Sequence, residues 1–131
     1  MAQTRFTGPV RSDNGFIGAV TGDVTGNVTG NITGDVIATN QALSGAGAVN
    51  LTDMFTSLTT TGASQALTLA DGTAGQIKII VHTVDGGSAV LTPTTKIGFT
   101  TVTFTAVGDA AMLIYTATGW AVVGSKGVTI A

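Results

Sequence analysis

Short segments of alternating hydrophobic and polar residues follow one another from about residue 50 to the end of the chain. Gln65–Leu69 and 101–105 alternate cleanly, so each is predicted to be a β-strand with one buried face. The segment 76–81 is apolar at most positions, which is typical of a central strand. Glycine-containing turn signals separate the segments, and this spacing favours an antiparallel β-sandwich or barrel. The predicted strands are 54–58, 65–70, 76–84, 88–92, 97–105, 110–116, 120–124 and 127–130.

A four-residue repeat precedes this region. A β-branched apolar residue, a threonine, a glycine and an aspartate or asparagine recur in that order. Because four is an even number, an extended chain places the apolar residues and glycines on one face and the polar residues on the other. The Gly-Asp and Gly-Asn steps permit positive φ, so we predict a strand that bends repeatedly. The apolar positions of the repeat are Val20, Val24, Val28, Ile32 and Val36.

The repeat cannot be stable within one chain. One small apolar side chain per four residues is too little to offset an ordering cost of about 1–2 kcal/mol per residue. The segment is too short for a single-chain β-solenoid, and its glycine spacing excludes collagen. We therefore predict an intertwined trimeric β segment, in which the five apolar residues form the trimer core. The alternative is a flexible glycine-rich linker, although a linker has no need of a β-branched residue at every fourth position.

The first 18 residues show no hydrophobic periodicity and are predicted to form an extended arm. The arm contains both arginines of the chain, and arginine makes forked bonds to carboxylates on a partner surface. The alternative is a disordered terminus. The predicted docking residues are Arg5, Phe6, Pro9, Val10, Arg11 and Phe16. The predicted organisation is thus an arm at 1–18, a repeat and trimerisation segment at 19–48 and a β domain at 49–131. Within the second part, the small residues of 41–48 predict a tapering connection.

Composition agrees with an all-β protein and excludes several partners. Of the 131 residues, 44% are hydrophobic and 9% are charged, 19 are glycine and none is glutamate, which disfavours helices. A net charge of −2 with five scattered cations does not form the basic surface that nucleic acids require. The sequence contains no run of about 18 apolar residues and no signal-peptide pattern, so we expect no membrane partner and no passage through a secretion channel. Cysteine is absent, which excludes disulfides and thiolate metal sites.

Residues that usually carry catalysis are scarce. The only histidine, His82, shares a predicted strand face with Lys78 and Ile80 and is interpreted as a satisfied or surface residue. With no cysteine or glutamate, nothing completes a metal site or a nucleophile–base pair around it. Asp23 and Asp35 would bind calcium only if several chains brought them together, which we do not expect. We predict no enzymatic activity, no cofactor, no metal and no small-molecule substrate.

Several segments resemble a known group of proteins. The sequence FTGPVRSDNGFIG at 6–18, running into V-T-G-D/N repeats, resembles the N-terminal part of small virion structural proteins of tailed bacteriophages. LADGTAGQIK at 69–78 and TGW at 118–120 continue the likeness. The resemblance implies a β-rich homotrimer on the phage particle with the major capsid protein as its partner. Because ordinary tail fibres are far longer, we expect a capsid decoration (cement) protein that is made in the host cytoplasm. On the outer surface of the head it would stabilise the shell by bridging capsid subunits.

The alternative function is a head-fibre or tail-fibre component with a receptor- or glycan-binding C-terminal domain. An exposed aromatic patch would favour it, since aromatic rings stack on sugars. Trp120 and Tyr115 are the only indole and phenol of the chain. Their neighbours are apolar, so we interpret both rings as core residues.

Overall fold

The structure is a computed structural model that describes residues 31–131 together with Thr7, Thr21, Val24 and Gly26. The chain divides into two units, Met1–Gly34 and Asp35–Ala131. The described part contains strands and no helix, which confirms an all-β protein. The strands are β1 (Asn40–Ser44), β2 (Gly47–Val49), β3 (Phe55–Thr59), β4 (Gln65–Leu69), β5 (Ile77–Val84), β6 (Ala89–Pro93), β7 (Val102–Phe104), β8 (Ala110–Thr116), β9 (Gly119–Lys126) and β10 (Thr129–Ile130).

These strands form two five-stranded sheets that share one hydrophobic core. Sheet A has the order β1-β3-β5-β8-β9, and sheet B has the order β10-β7-β6-β4-β2. Leu58, Ile80 and Leu113 from sheet A are completely buried, as are Leu67, Leu91 and Phe104 from sheet B. Alternation along each strand accounts for this core, because every second side chain points to the opposite sheet. The two layers are those of a β-sandwich.

The prediction of an antiparallel fold is wrong for the first six strands. They alternate between the sheets, so that β1, β3 and β5 run parallel in sheet A and β2, β4 and β6 run parallel in sheet B. The glycine turn at 85–87 therefore carries the chain from one sheet to the other instead of folding it back as a hairpin. Antiparallel pairing begins at β5–β8 and β6–β7 and includes the hairpin β8–β9. Both sheets are consequently mixed.

The small-residue segment 41–48 is not a tapering connection, since it contributes to β1 and β2. Leu43 packs against the core, and Gly45 forms the corner with a φ of 75°. The side-chain oxygen of Gln41 accepts hydrogen bonds from the Asn50 amide (2.9 Å) and the Thr56 hydroxyl (3.1 Å). Its side-chain nitrogen donates to the Ala48 carbonyl (2.9 Å). Small residues here permit a tight corner, and one glutamine satisfies the polar groups beside it.

Most other predicted strands are present within one or two residues of their predicted ends, and β5 is central in sheet A as predicted. The exception is the predicted strand 97–105, of which only β7 forms. Gly98 has a φ of 76°, and the amide of Ile97 donates to the carbonyl of Trp120. The chain therefore follows sheet A before it joins sheet B.

Candidate interaction surfaces and buried polar groups

The predicted docking arm lies outside the described residues. This holds for each of its predicted docking residues, Arg5, Phe6, Pro9, Val10, Arg11 and Phe16. Thr7 is the one described residue of the arm, and its side chain is exposed. The docking role of the arm therefore stays a prediction.

The described apolar residues of the repeat are strongly exposed to solvent. Val24 is 63% exposed, Ile32 64% and Val36 70%, and the neighbouring Ile37 reaches 89%. Val20 and Val28 lie outside the described residues. Three β-branched side chains at matching positions of the repeat thus have little apolar cover within one chain.

Two repeat glycines adopt the backbone conformation that the sequence predicts. Gly26 has a φ of 124° and Gly34 a φ of 129°, a region that side chains with a Cβ rarely adopt. A Cβ added at either glycine would meet no heavy atom within 4 Å. Within one chain, glycine is therefore required here by backbone conformation and not by lack of space.

The outer face of sheet A is apolar at its centre. Lys78, Ile80 and His82 of β5 point inward and are fully buried, so the residues between them point outward. On β5 and its neighbours, a cross-strand row joins Phe55, Ile79 and Met112. A second row joins Ile77 and Ile114. Met112 is 37% exposed, and the other apolar residues of these rows are half-buried without a covering layer among the described residues.

Polar residues border this apolar face. Ser57 pairs with Asn40 through a side-chain hydrogen bond of 3.2 Å on the β1 side of sheet A. On the β9 side, the exposed Lys126 lies across from Ala110. A depression of about 160 Å³ lies near this border, and its lining includes Ile79, Met112 and Gly124.

The outer face of sheet B has a different character. Its outward positions include the exposed Ala66, Thr68 and Thr92 and the half-buried Thr103. These small and hydroxyl-bearing side chains tolerate water. The two faces of one domain therefore expose different surfaces, although both sheets contribute to the core.

Sequence reasoning missed the outer face of sheet A, although a signal for it was present. Ile77, Ile79 and Val81 occupy one face of β5 while Ile80 occupies the other. The prediction of a central strand is correct for the position of β5 in the sheet. A strand that is apolar on both faces also requires a cover on both, and sheet B covers only one.

Lys78 is the buried cation of the sandwich. Its ammonium group donates to the Asp53 carbonyl (2.5 Å) and to the Asn50 side-chain oxygen (3.4 Å). The same Asn50 oxygen accepts from the Asp53 amide, which holds the β2–β3 loop in position. Burial lowers the pKa of Lys78, and the nearby charge of Asp53 opposes that shift. These contacts stabilise the β2–β3 loop. Because Lys78 is fully buried, its amine is not accessible to a substrate.

His82 is buried as well, as part of a polar cluster at the end of β5. Its Nε2 lies 3.0 Å from the hydroxyl of Thr60, and Thr60 also donates to the Gly87 carbonyl (2.9 Å). Among the described residues, Nδ1 of His82 is the buried side-chain nitrogen or oxygen without a hydrogen-bond partner. The backbone amide of His82 donates a hydrogen bond to the Asp109 carbonyl, and the His82 carbonyl accepts one from the Gly108 amide. His82 is thus a core residue in which Nε2 is hydrogen-bonded and Nδ1 is not.

Asp109 supports the β7–β8 turn. One carboxylate oxygen accepts from the Thr105 amide (2.7 Å), the Ala106 amide (3.0 Å) and the Thr105 hydroxyl (3.3 Å). The backbone hydrogen bond from Thr105 lowers the pKa of Asp109, and the other two bonds and His82 act in the same direction, while burial opposes them. The carboxylate is used as a turn cap.

Trp120 and Tyr115, the two aromatic residues considered for sugar binding, do not form an exposed patch. Trp120 is fully buried, and its indole nitrogen donates to the Ala70 carbonyl (2.8 Å). Tyr115 packs edge-on against it with ring centroids 5.2 Å apart. The interpretation of Trp120 as a core residue is confirmed, and Tyr115 packs against the core as a partly buried ring.

The described residues contain no group of three or more His, Cys, Asp or Glu placed to hold a metal ion. A search of the described part of the chain found no helix with the length and hydropathy of a membrane span.

No model of a known protein family matches the chain, and a search of curated proteins gave no match.

Proposed function

We propose that this protein is a structural protein of a bacteriophage virion, a homotrimer that decorates the capsid and stabilises the head. The observation that carries the proposal is the exposure of the repeat. Val24, Ile32 and Val36 are each more than 60% exposed, at 63%, 64% and 70%. A regular row of β-branched residues in water requires burial by something other than its own chain.

Three copies around one axis meet this requirement. A narrow threefold axis accommodates one small apolar side chain per chain in each layer, while Thr and Asp or Asn remain in water. Complete burial of a Val or Ile side chain contributes about 1.5–3 kcal/mol. The positive φ values of Gly26 and Gly34 support the proposal, because they let the backbone bend and wind around its neighbours.

The decoration itself is a mechanical function. The arm supplies two arginines for carboxylates on the capsid surface and two phenylalanines, Phe6 and Phe16, as apolar anchors. Contacts that exist only in the assembled shell raise the free energy needed to separate capsid subunits. The resemblance of 6–18 to phage virion proteins supports this assignment, and the glycan-binding alternative gains no support from the buried Trp120.

Two measurements test the proposal. Light scattering of the purified full chain should give a mass near three times 13.0 kDa, and a folded monomer at micromolar concentration would refute the trimer. Quantitative mass spectrometry of virions that contain the protein then counts its copies. A number that matches the repeated equivalent sites of a capsid shell supports decoration. A few copies per particle contradict decoration and indicate a fibre.

A further inference from the structure

The two outer faces of the β domain differ in chemistry, and the difference identifies one of them as an interface. We propose that the outer face of sheet A packs against the other copies of the chain in the trimer and faces the threefold axis. The proposal rests on the trimer in the proposed function and specifies which surface of the C-terminal domain the trimer buries. It assigns the outer face of sheet B to solvent.

The distribution of polarity on the face is that of a protein interface. Ile79 and Met112 lie on β5 and β8, next to each other and away from both edges of the five-stranded sheet. Polar groups lie toward the edges, with Asn40 and Ser57 on one side and Lys126 on the other. Specific interfaces have this arrangement of an apolar centre and a polar rim.

The charge of the face favours a second copy over a different partner. Its central rows carry no charged side chain, whereas Lys126 lies at the border. A surface that selects a different protein usually presents charges complementary to that protein. Identical copies that meet around an axis present the same charge to each other, so a neutral centre is the arrangement that avoids repulsion.

The size of the face also favours copies that are already held together. Three strands about 4.8 Å apart and five residues of about 3.3 Å each give an apolar area of roughly 240 Å². A stable interface between independent proteins buries about 800 Å² on each partner. The face alone is therefore too small to recruit a separate partner. It is sufficient where the repeat already holds the copies together and raises their effective concentration.

The absence of cysteine makes a direct distance measurement possible. Single-cysteine variants of the full chain, Met112→Cys on the outer face of sheet A and Thr92→Cys on that of sheet B, would each carry one nitroxide spin label. Pulsed dipolar spectroscopy then measures the distance between labels on different copies. The two sheets lie about 10 Å apart, so the two labelled positions differ by about that much in their distance from the axis. The separation of equivalent labels around a threefold axis is √3 times their distance from it. Labels at position 112 should therefore be closer to each other than labels at position 92 by roughly 17 Å or more. Circular dichroism establishes that both labelled variants are folded.

The outcomes of this measurement distinguish the proposed interface on sheet A from the proposed trimer. A shorter distance at position 112 than at position 92 supports the interface. Equal or broad distances at both positions, or a shorter one at 92, overturn the interface while the trimer stands. Absence of any dipolar coupling in a chain that scatters as a monomer overturns the trimer and the interface together.

A charge variant provides a second measurement that does not depend on labels. A Cβ at Gly124 would meet no heavy atom within 4 Å, so Gly124→Glu is accommodated in the single chain and places a carboxylate beside Met112. We expect the thermal midpoint of the trimer to fall relative to the control Thr92→Glu, which adds the same charge to the opposite face. Equal midpoints for the two variants would contradict the interface.

Discussion

The indole nitrogen of Trp120 donates a hydrogen bond of 2.8 Å to the carbonyl oxygen of Ala70, which lies 50 positions earlier in the sequence. Trp120 belongs to β9 at the edge of sheet A, and Ala70 follows β4 in sheet B. One side chain therefore both fills the core and joins the two layers. Tyr115 packs edge-on against the same indole, at an interplanar angle of 71°.

Trp120→Phe is expected to destabilise the β domain by about 2–4 kcal/mol, because it removes the hydrogen bond to the Ala70 carbonyl and opens a cavity where the buried indole lies. Urea unfolding followed by circular dichroism, at a fixed protein concentration, measures the loss. Tyr115→Phe is the matched control, since it keeps the ring that contacts Trp120, and should cost less than about 1 kcal/mol. Equal losses for the two variants would mean that the hydrogen bond between the sheets contributes little.

Charges in the repeat should dissociate the trimer. The double variant Val24→Asp with Val28→Asp would place carboxylates at the predicted axis, where burying unpaired charge is costly. We expect light scattering to report a monomer. Thr21→Asp with Thr33→Asp adds the same number of charges at exposed threonine positions and should remain trimeric. If both double variants behave alike, the valines are not at the axis.

Removal of the arm should separate assembly from attachment. A chain lacking residues 2–16 is expected to fold and form trimers, yet to bind capsids with greatly reduced occupancy, because the arginines and phenylalanine anchors are gone. Co-sedimentation with undecorated capsids measures occupancy. A milder variant, Arg5→Lys with Arg11→Lys, keeps the charge but loses the forked bonds and should bind with intermediate occupancy. Full occupancy of the truncated chain would transfer the capsid contact to the β domain.

The acid stability of the β domain should depend on Asp109. Its hydrogen bonds with Thr105 and Ala106 lower its pKa in the folded state below the value of about 3.9 in the unfolded chain. The carboxylate therefore stabilises the fold fully above the unfolded pKa, and the contribution is lost as pH falls through the folded pKa. Asp109→Asn should be less stable than the wild type at pH 7, with a difference that shrinks as the pH falls.

Urea midpoints measured from neutral to acidic pH test this expectation. Asp35→Asn serves as the control, because it removes an exposed carboxylate that lies outside both sheets. A constant difference between wild type and Asp109→Asn over the whole pH range would show that the turn does not depend on the ionised form.

Alternation along the chain predicted most of the strands from β3 onward and showed which side chains share a strand face. β8 begins and ends at the predicted residues, and Lys78, Ile80 and His82 point inward together as their spacing requires. Burial of Trp120 could likewise be predicted from its apolar neighbours. These features depend on a local rule, the two-residue period of an extended chain, so one sequence is enough to show them.

The tertiary structure decided what that local rule leaves open. A turn such as 85–87 has the same glycines whether it folds the chain back or carries it to the other sheet, so the parallel neighbours of β1 to β6 could not be predicted. Ile79 and Ile80 are equally apolar in the sequence, yet Ile80 faces sheet B and Ile79 faces outward. Hydrophobicity shows that a side chain needs cover, but only the arrangement of the sheets shows which side chains receive it.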